Sequence, residues 1–272
     1  MPSSVLQIIA MIAMCIDHTA YIQTYGDTHV IFLNYIGRIA FPIFCFQIAL
    51  GYKKTKDLGK YIIRLLIIAG ISQIPYFLFF NKVVLIKPGL NVIFTLLFGL
   101  IAILIYDFTI ENKKIKINTG LNFGERYSKL SIPTMTILFI IKLIGIILIC
   151  YLAQILGLEY GAIGVVLVLA MFICYPFKEE DNNKWIKLIK ILIYMVIVCI
   201  YTYIESKSYI RAVLLGNSQY MEQMIGLTLG CIIGCAIPFL YNGKKGKKTK
   251  IFGYIFYPLQ FIVIVLINML IH

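Results

Sequence analysis

A chain of 272 residues that is 61% hydrophobic and only 14% charged, with mean hydropathy +0.90, holds more apolar surface than a globular core of that size encloses. This excludes a soluble enzyme and points to an all-α, polytopic integral membrane protein. A net charge of +13 would suggest a nucleic-acid partner in a soluble protein. Here the basic residues gather in short connections between apolar runs, which is the pattern of membrane topology, so no nucleic acid is expected.

Crossing the hydrocarbon takes roughly 20 apolar residues. On that ruler the sequence predicts a single domain over 1–272 with about nine spans, eight to ten in all. The first, near 5–24, contains "MCIDHTAYIQ", where Asp17 and His18 interrupt the apolar run. With no basic flank before it, this segment reads as a retained span and not a cleaved signal peptide. The second, near 31–52, carries Arg38 and, four residues on, Pro42; a helix continuing through Pro42 leaves the Arg38 carbonyl without its partner. The third, 61–80, holds Ser72, Gln73, Pro75 and Tyr76, and the fourth, 90–109, opens on Asn91 and Thr95. Lys142 sits midway along the fifth, 133–155, and a shift of that span by a turn or two would let it snorkel. Glu159 and Tyr160 open the sixth, 160–177, and the seventh covers 188–205. In the eighth, 223–241, Gly226, Gly230 and Gly234 share one face and allow another helix close, within the bundle or across a homodimer. The ninth, 251–271, adds Tyr257, Pro258 and Gln260.

Sidedness follows from charge. With the N-terminus cytoplasmic, the inner connections hold eighteen Lys and Arg, in the groups Lys53 to Lys60, Lys113 to Lys129, Lys178 to Lys190 and Lys244 to Lys250. The outer ones hold four, Lys82, Lys87, Lys207 and Arg211, and Arg38, Arg64 and Lys142 lie in spans. The longest connection, 110–131, is then a cytoplasmic loop, and the Ile- and Lys-rich composition suits a bacterial plasma membrane. The seven cysteines all fall in apolar stretches without CxxC or Cys/His ligand spacing, and read as small apolar filler with neither disulfide nor metal.

At 1.5 Å per residue, Asp17 and His18 reach a similar depth in the outer half to Arg38 on the next, oppositely running span. Intramembrane ionisable groups usually face the bundle interior and pair, so a buried Asp17/Arg38 pair beside His18 is expected. Gln73, Tyr76, Asn91, Glu159 and Tyr160 collect at the same level, with Tyr257 and Gln260 nearer the middle, which implies an internal polar cavity. Each has a plainer reading: a structural ion pair for Asp17 and Arg38, a core histidine for His18, interhelical hydrogen bonds for Gln73 and Asn91. On the inner side, "GYKKTKDLGKYIIR" sets Lys53, Lys54, Lys56, Lys60 and Arg64 around one connection. The lysines suit anionic lipid headgroups of the bilayer; Arg64, a turn inside the span, suits bidentate phosphate binding.

These segments resemble a known family. "MIAMCIDHTAY", "IGRIAFPIFCFQIALGYKKTKDLGKYIIRLLIIAGISQIPY", "LNVIFTLLFGL", "EYGAIGVVLVL" and "YIFYPLQ" together look like the TraX family, whose name-giving member is the membrane acetylase of conjugative F-type pilin. That family is similar to the wider transmembrane acyltransferases that O-acetylate surface glycans or N-acetylate heparan glucosamine. The resemblance implies cytoplasmic acetyl-CoA as donor, no metal, and an extracytoplasmic or membrane-bound acceptor amine or hydroxyl. Asp17 and His18 match the family's Asp-His pair and Arg38 the arginine before its "AFP". Lys60 and Arg64 loosely match the basic pair with which related O-acyltransferases hold CoA. Two departures stand out: the family's "YPLH" ends here in Gln260, and Glu159 stands where aspartate is expected.

The expected mechanism has CoA phosphates on Arg64 and Lys60 with Lys53 and Lys54, and the pantetheine arm threading toward His18. His18, of ordinary pKa near 6.5, is the general base on the acceptor. Asp17 orients it or offsets its charge, and Asn91 or Arg38 stabilises the oxyanion. Gln73, Tyr76, Glu159, Tyr160, Tyr257 and Gln260 line the acceptor site. The competing class is a proton-coupled transporter using Asp17, His18 and Arg38 as a relay.

Overall fold

The computed structural model describes residues 1–23, 28–84, 88–108, 132–174, 184–247 and 250–271. The expected 110–131 loop lies outside them. The described residues form ten α-helices: α1 (Ser3–Gln23), α2 (Thr28–Gly37), α3 (Ala40–Lys54), α4 (Leu58–Phe79), α5 (Val92–Asp107), α6 (Ile132–Ile155), α7 (Gly161–Cys174), α8 (Lys184–Leu214), α9 (Met221–Ala236) and α10 (Lys250–Ile271). Seven helical stretches are long and apolar enough to cross a membrane. The chain is a polytopic helical membrane protein, as its composition requires.

The expected second span is broken. Its helix stops at Gly37 and restarts at Ala40, with Arg38 in the gap. Pro42 has no amide to offer the Arg38 carbonyl and its ring would clash with it, so the helix yields there instead of running through. Pro75 and Pro258 are instead carried inside α4 and α10.

The fourth and sixth spans are shorter than expected. α5 has 16 residues, about 24 Å at 1.5 Å per residue, less than the hydrocarbon thickness. Asn91 defines its start: the side-chain oxygen accepts from the Ile93 amide at 3.0 Å, an N-cap that satisfies an otherwise orphaned donor. α7 begins only at Gly161, after a loop in which Gly157 and Gly161 take positive φ (63° and 48°), where a side chain would be strained. The segments leading into α5 and α7 meet in an isolated parallel bridge, Leu90 amide to Gly157 carbonyl and Glu159 amide to Leu90 carbonyl, both 3.0 Å. Gly89 permits it, since a Cβ there would strike the Gly157 carbonyl. Irregular backbone of this kind is tolerated within a membrane protein where it lines a cavity.

Around this centre, α3 packs on α1, α5, α7 and α9, and its apolar side chains Phe41, Ile43, Phe46 and Ala49 form the core. α6 and α8 lie outside; α6 packs one face, with Ala153 and Ile149, on α5 and α7 and exposes apolar side chains over the rest, from Ile137 and Phe139 to Tyr151, as a lipid-facing helix does. Lys142 on α6 donates to the Tyr106 carbonyl in the last turn of α5 at 2.9 Å, so this lysine satisfies a helix C-terminus. The glycine stripe of α9 is used within the chain: Gly226 receives the Tyr35 ring, and Gly230 and Gly234 lie against the backbone and Cβ atoms of Tyr35, Arg38 and Ile39. Of the two uses expected for this face, packing within the bundle or across a homodimer, the contacts show the first: it is occupied by the α2–α3 break.

Candidate functional site

Adjacent residues on a helix point about 100° apart, and Asp17 and His18 accordingly find different surroundings. The His18 ring is buried between Phe79 and Phe261, with centroids 5.4 and 4.6 Å away, and Gln260 is its polar neighbour. The residue standing where the family has histidine thus lies against His18. Asp17 turns instead to the end of α2, where Gly37 leaves the space its carboxyl fills.

Arg38 departs from expectation. Its ion-pair partner is Glu205 on α8, Nη1 to Oε2 at 2.8 Å, and not Asp17, although Asp17 remains within its electrostatic reach. The sequence placed the end of the seventh span at Glu205, as if at the water boundary. The helix runs on to Leu214 and carries Glu205 inside the bundle, with Ser206 and Tyr201 almost fully buried near it. Glu205 is the charged residue that sequence reasoning missed, because the polar "IESKS" segment looked like a span end.

The bridged loops bring in Glu159 and Tyr160. Glu159 faces the Tyr76 hydroxyl and the first amide of α5, and Tyr160 stacks flat on Phe41 with centroids 3.6 Å apart. Gln73 and Asn91 belong to the scaffold. Asn91 spends both amide hydrogens, on the Ala69 carbonyl (2.8 Å) and the Gln73 side-chain oxygen (2.9 Å), and Gln73 in turn donates to the Gly89 carbonyl at 3.0 Å. Asn91 has no side-chain donor left, so the oxyanion role expected of it does not match its geometry, while Gln73 keeps one amide hydrogen beyond its bond to Gly89.

Three cavities share wall residues in this region, and His18 lines two of them. A cavity of about 450 Å³ opens between Lys54, Lys56 and Lys245 and runs inward past Gln7 and Gln47 to Met14, Phe44, Val92 and Tyr257. Those last four residues also bound a chamber of about 30 Å³ that holds Asp17, His18, Glu159 and Tyr160. The same Asp17, His18, Glu159 and Tyr160 line a further cavity of about 370 Å³ on the other side, completed by Tyr21, Arg38, Tyr76 and Phe80. Several buried polar atoms around the junction lack a partner: Asp17 Oδ1, His18 Nδ1, Arg38 Nε, Tyr257 Oη and Gln260 Nε2. Buried polar groups are normally hydrogen-bonded, so such a concentration marks a place built for water or a substrate.

At the basic mouth, the residues nominated from sequence divide. Lys54 lines the cavity and lies over the Tyr241 ring. Lys53 sits over Phe172 instead, and Lys60 is a surface residue paired with Asp57 at 3.1 Å. Arg64 is absent from the lining, which α4 supplies through Tyr61, Leu65 and Ile68. Lys56 and Lys245 take their place. Lys245 arrives through the loop before α10, whose Lys244 and Lys245 carbonyls accept the Ser3 and Ser4 amides at 3.0 and 3.1 Å and so cap α1. Asp57 caps α4, accepting the Lys60 amide at 2.9 Å, and this bond holds its carboxyl below the usual carboxylate range.

Comparison with known proteins agrees with this arrangement in extent. A family described as TraX protein matches residues 3–268. A curated relative, the probable fimbrial assembly protein FimC, serogroup H1, of Dichelobacter nodosus, is 25% identical over 276 residues, which cover 94% of this chain and 91% of the relative. No solved structure matches.

Proposed function

The chain belongs to the TraX family, and from that premise we propose that it is an acetyltransferase of the bacterial plasma membrane, moving an acetyl group from cytoplasmic acetyl-CoA to an acceptor amine. One observation carries this reading: three neighbouring cavities that share wall residues, the first with lysines at its rim, the second a narrow chamber at His18, and the third lined by Asp17 and Glu159.

In this reading Lys54, Lys56 and Lys245 hold the phosphates of CoA, and the pantetheine arm lies along the larger cavity past Gln7 and Gln47, whose amides suit its own. Two carboxyl groups, Asp17 and Glu159, and four rings, Tyr21, Tyr76, Phe80 and Tyr160, line the opposite cavity. Carboxylates and aromatic faces both attract an ammonium, and the Arg38 charge in the same wall is offset by its pairing with Glu205, so an amine suits it better than a sugar hydroxyl. The fimbrial assembly name of the relative adds support for the N-terminus of a pilin-like subunit.

The acceptor ammonium gives up its first proton to bulk solvent, and His18 Nδ1 takes the second as the neutral nitrogen attacks the thioester carbonyl. The C–N bond forms, the carbonyl electrons move to oxygen, and on their return the C–S bond breaks and CoA leaves as thiolate. Tyr257 Oη and Gln260 Nε2, both without partners, are the donors available to the oxyanion; removing one such donor typically costs about 100-fold or more in rate. Asp17 offsets the imidazolium charge.

The test is thermal unfolding of the detergent-purified protein with acetyl-CoA. A ligand that binds only the native state adds about 2.7 kcal/mol at 100 times its dissociation constant. Stabilisation that the Lys54→Ala, Lys56→Ala, Lys245→Ala combination abolishes and His18→Ala retains is the expected result. No shift at saturating acetyl-CoA, with proton-coupled uptake in proteoliposomes, would replace this reading with the transport relay.

A further inference from the structure

The chamber between the two large cavities is small in a way the acetyl-transfer reading does not by itself require. It encloses about 30 Å³, against about 450 and 370 Å³ on either side. One water needs about 10 to 15 Å³ measured in this way, so the chamber holds about two water-sized bodies. Its walls cannot retreat cheaply. Phe41 is 2% exposed and locked flat against Tyr160, while Met14 and Val92 are themselves buried among core residues. Gly164, behind Phe41, has no spare room either, since a Cβ there would meet Phe41, Tyr160 and Thr95 atoms at 3.0 Å or less.

We propose that this chain selects its acyl donor by length, with Met14, Phe44 and Val92 forming a collar, backed by the Phe41/Tyr160 stack, that admits a two-carbon acyl group to His18 and rejects longer ones. The inference rests on the acyltransferase reading and adds to it which side chains set the donor. With its thioester at the collar, an acetyl methyl fits the chamber. Each further carbon of a propionyl or butyryl group must press on the collar or enter the acceptor cavity. Phe44 is the part-buried member of the collar and has the most volume to give up, and Met14 is the most adaptable.

The experiment measures dissociation constants of CoA, acetyl-CoA, propionyl-CoA and butyryl-CoA for the detergent-purified full chain, which needs no acceptor. One methylene too many for a hydrophobic pocket costs about tenfold or more. Wild-type protein is expected to bind acetyl-CoA at least about tenfold more tightly than butyryl-CoA. Phe44→Ala and, separately, Met14→Ala are expected to bring that ratio close to one, read within each variant so that any change in affinity common to all CoA species cancels. Two variants are used so that one failing to fold does not decide the matter. Equal binding of acetyl- and butyryl-CoA by wild type, or a preference that survives in whichever variant folds, overturns the collar and leaves the donor site standing. Failure of folded wild type to bind any CoA species removes the acyltransferase reading and the collar with it.

Discussion

The two large cavities on either side of the His18 chamber are built on different principles. The lysine-mouthed one is apolar along most of its length, walled by Met11, Ile48, Leu65, Leu96 and their neighbours, and carries its charge only at the rim. The opposite one carries charge at depth, with Asp17, Glu159 and Arg38 in its wall and Glu205 behind Arg38. Rim charge is cheap because water solvates it, and it serves best to attract a charged ligand. Charge at depth has to be held by partners and special backbone, here the α2–α3 break, the glycine stripe of α9 and the Leu90–Leu158 bridge. Such a site is preorganised, and that is where chemistry is expected.

The sharpest way to break this contrast is His18→Ala. Loss of a general base typically costs about 100- to 10,000-fold; acetyl transfer to a peptide amine, followed by mass spectrometry, should fall by that much while donor-induced stabilisation persists. Arg38→Ala comes next and reads out as stability. Removing one partner of a fully buried pair costs about 3 to 5 kcal/mol because the other charge is left unpaired; this pair is part-buried, its side chains 25% and 14% exposed, so a smaller loss is expected. Glu205→Gln made together with Arg38→Gln should recover part of that loss in a double-mutant cycle of unfolding. The rim should respond more weakly and with salt. Replacing Lys54, Lys56 and Lys245 by alanine should weaken acetyl-CoA binding about tenfold or more for each charged hydrogen bond to phosphate that is removed, the more so at low ionic strength. Lys60→Ala should leave binding unchanged, since that side chain is at the surface with Asp57. The smallest effect is a pH dependence at Asp57. Its carboxyl is held below its unfolded value, so its stabilisation of α4 is full above the unfolded pKa near 3.9 and is lost as pH falls through the lower folded one. Asp57→Asn should remove that acid-side component from the pH profile of unfolding.

Much of this was legible in the sequence because bilayer thickness is a fixed ruler. The spans, and the gathering of Asp17, His18, Arg38, Tyr76, Glu159 and Tyr160 at one level with Tyr257 and Gln260 nearer the middle, follow from helical rise and from the cost of leaving polar groups in lipid. Residues that turned out to be scaffold, Gln73 and Asn91, carry the same polar groups at the same depth. Depth alone does not distinguish a hydrogen bond to the next helix from one kept for a substrate.

What the tertiary structure alone decided was azimuth and partnership. Hydropathy reports how deep a residue lies, not which neighbour it faces, so Arg38 paired with Glu205 across 167 positions of sequence and not with the nearer Asp17. The glycine stripe of α9 found the α2–α3 break within its own chain. Lys245 reached the cavity mouth because its loop caps α1, whereas Lys60, closer along the chain, did not. Each outcome was set by which backbones approach closely enough to share a hydrogen bond, a property of packed helices that no single span contains.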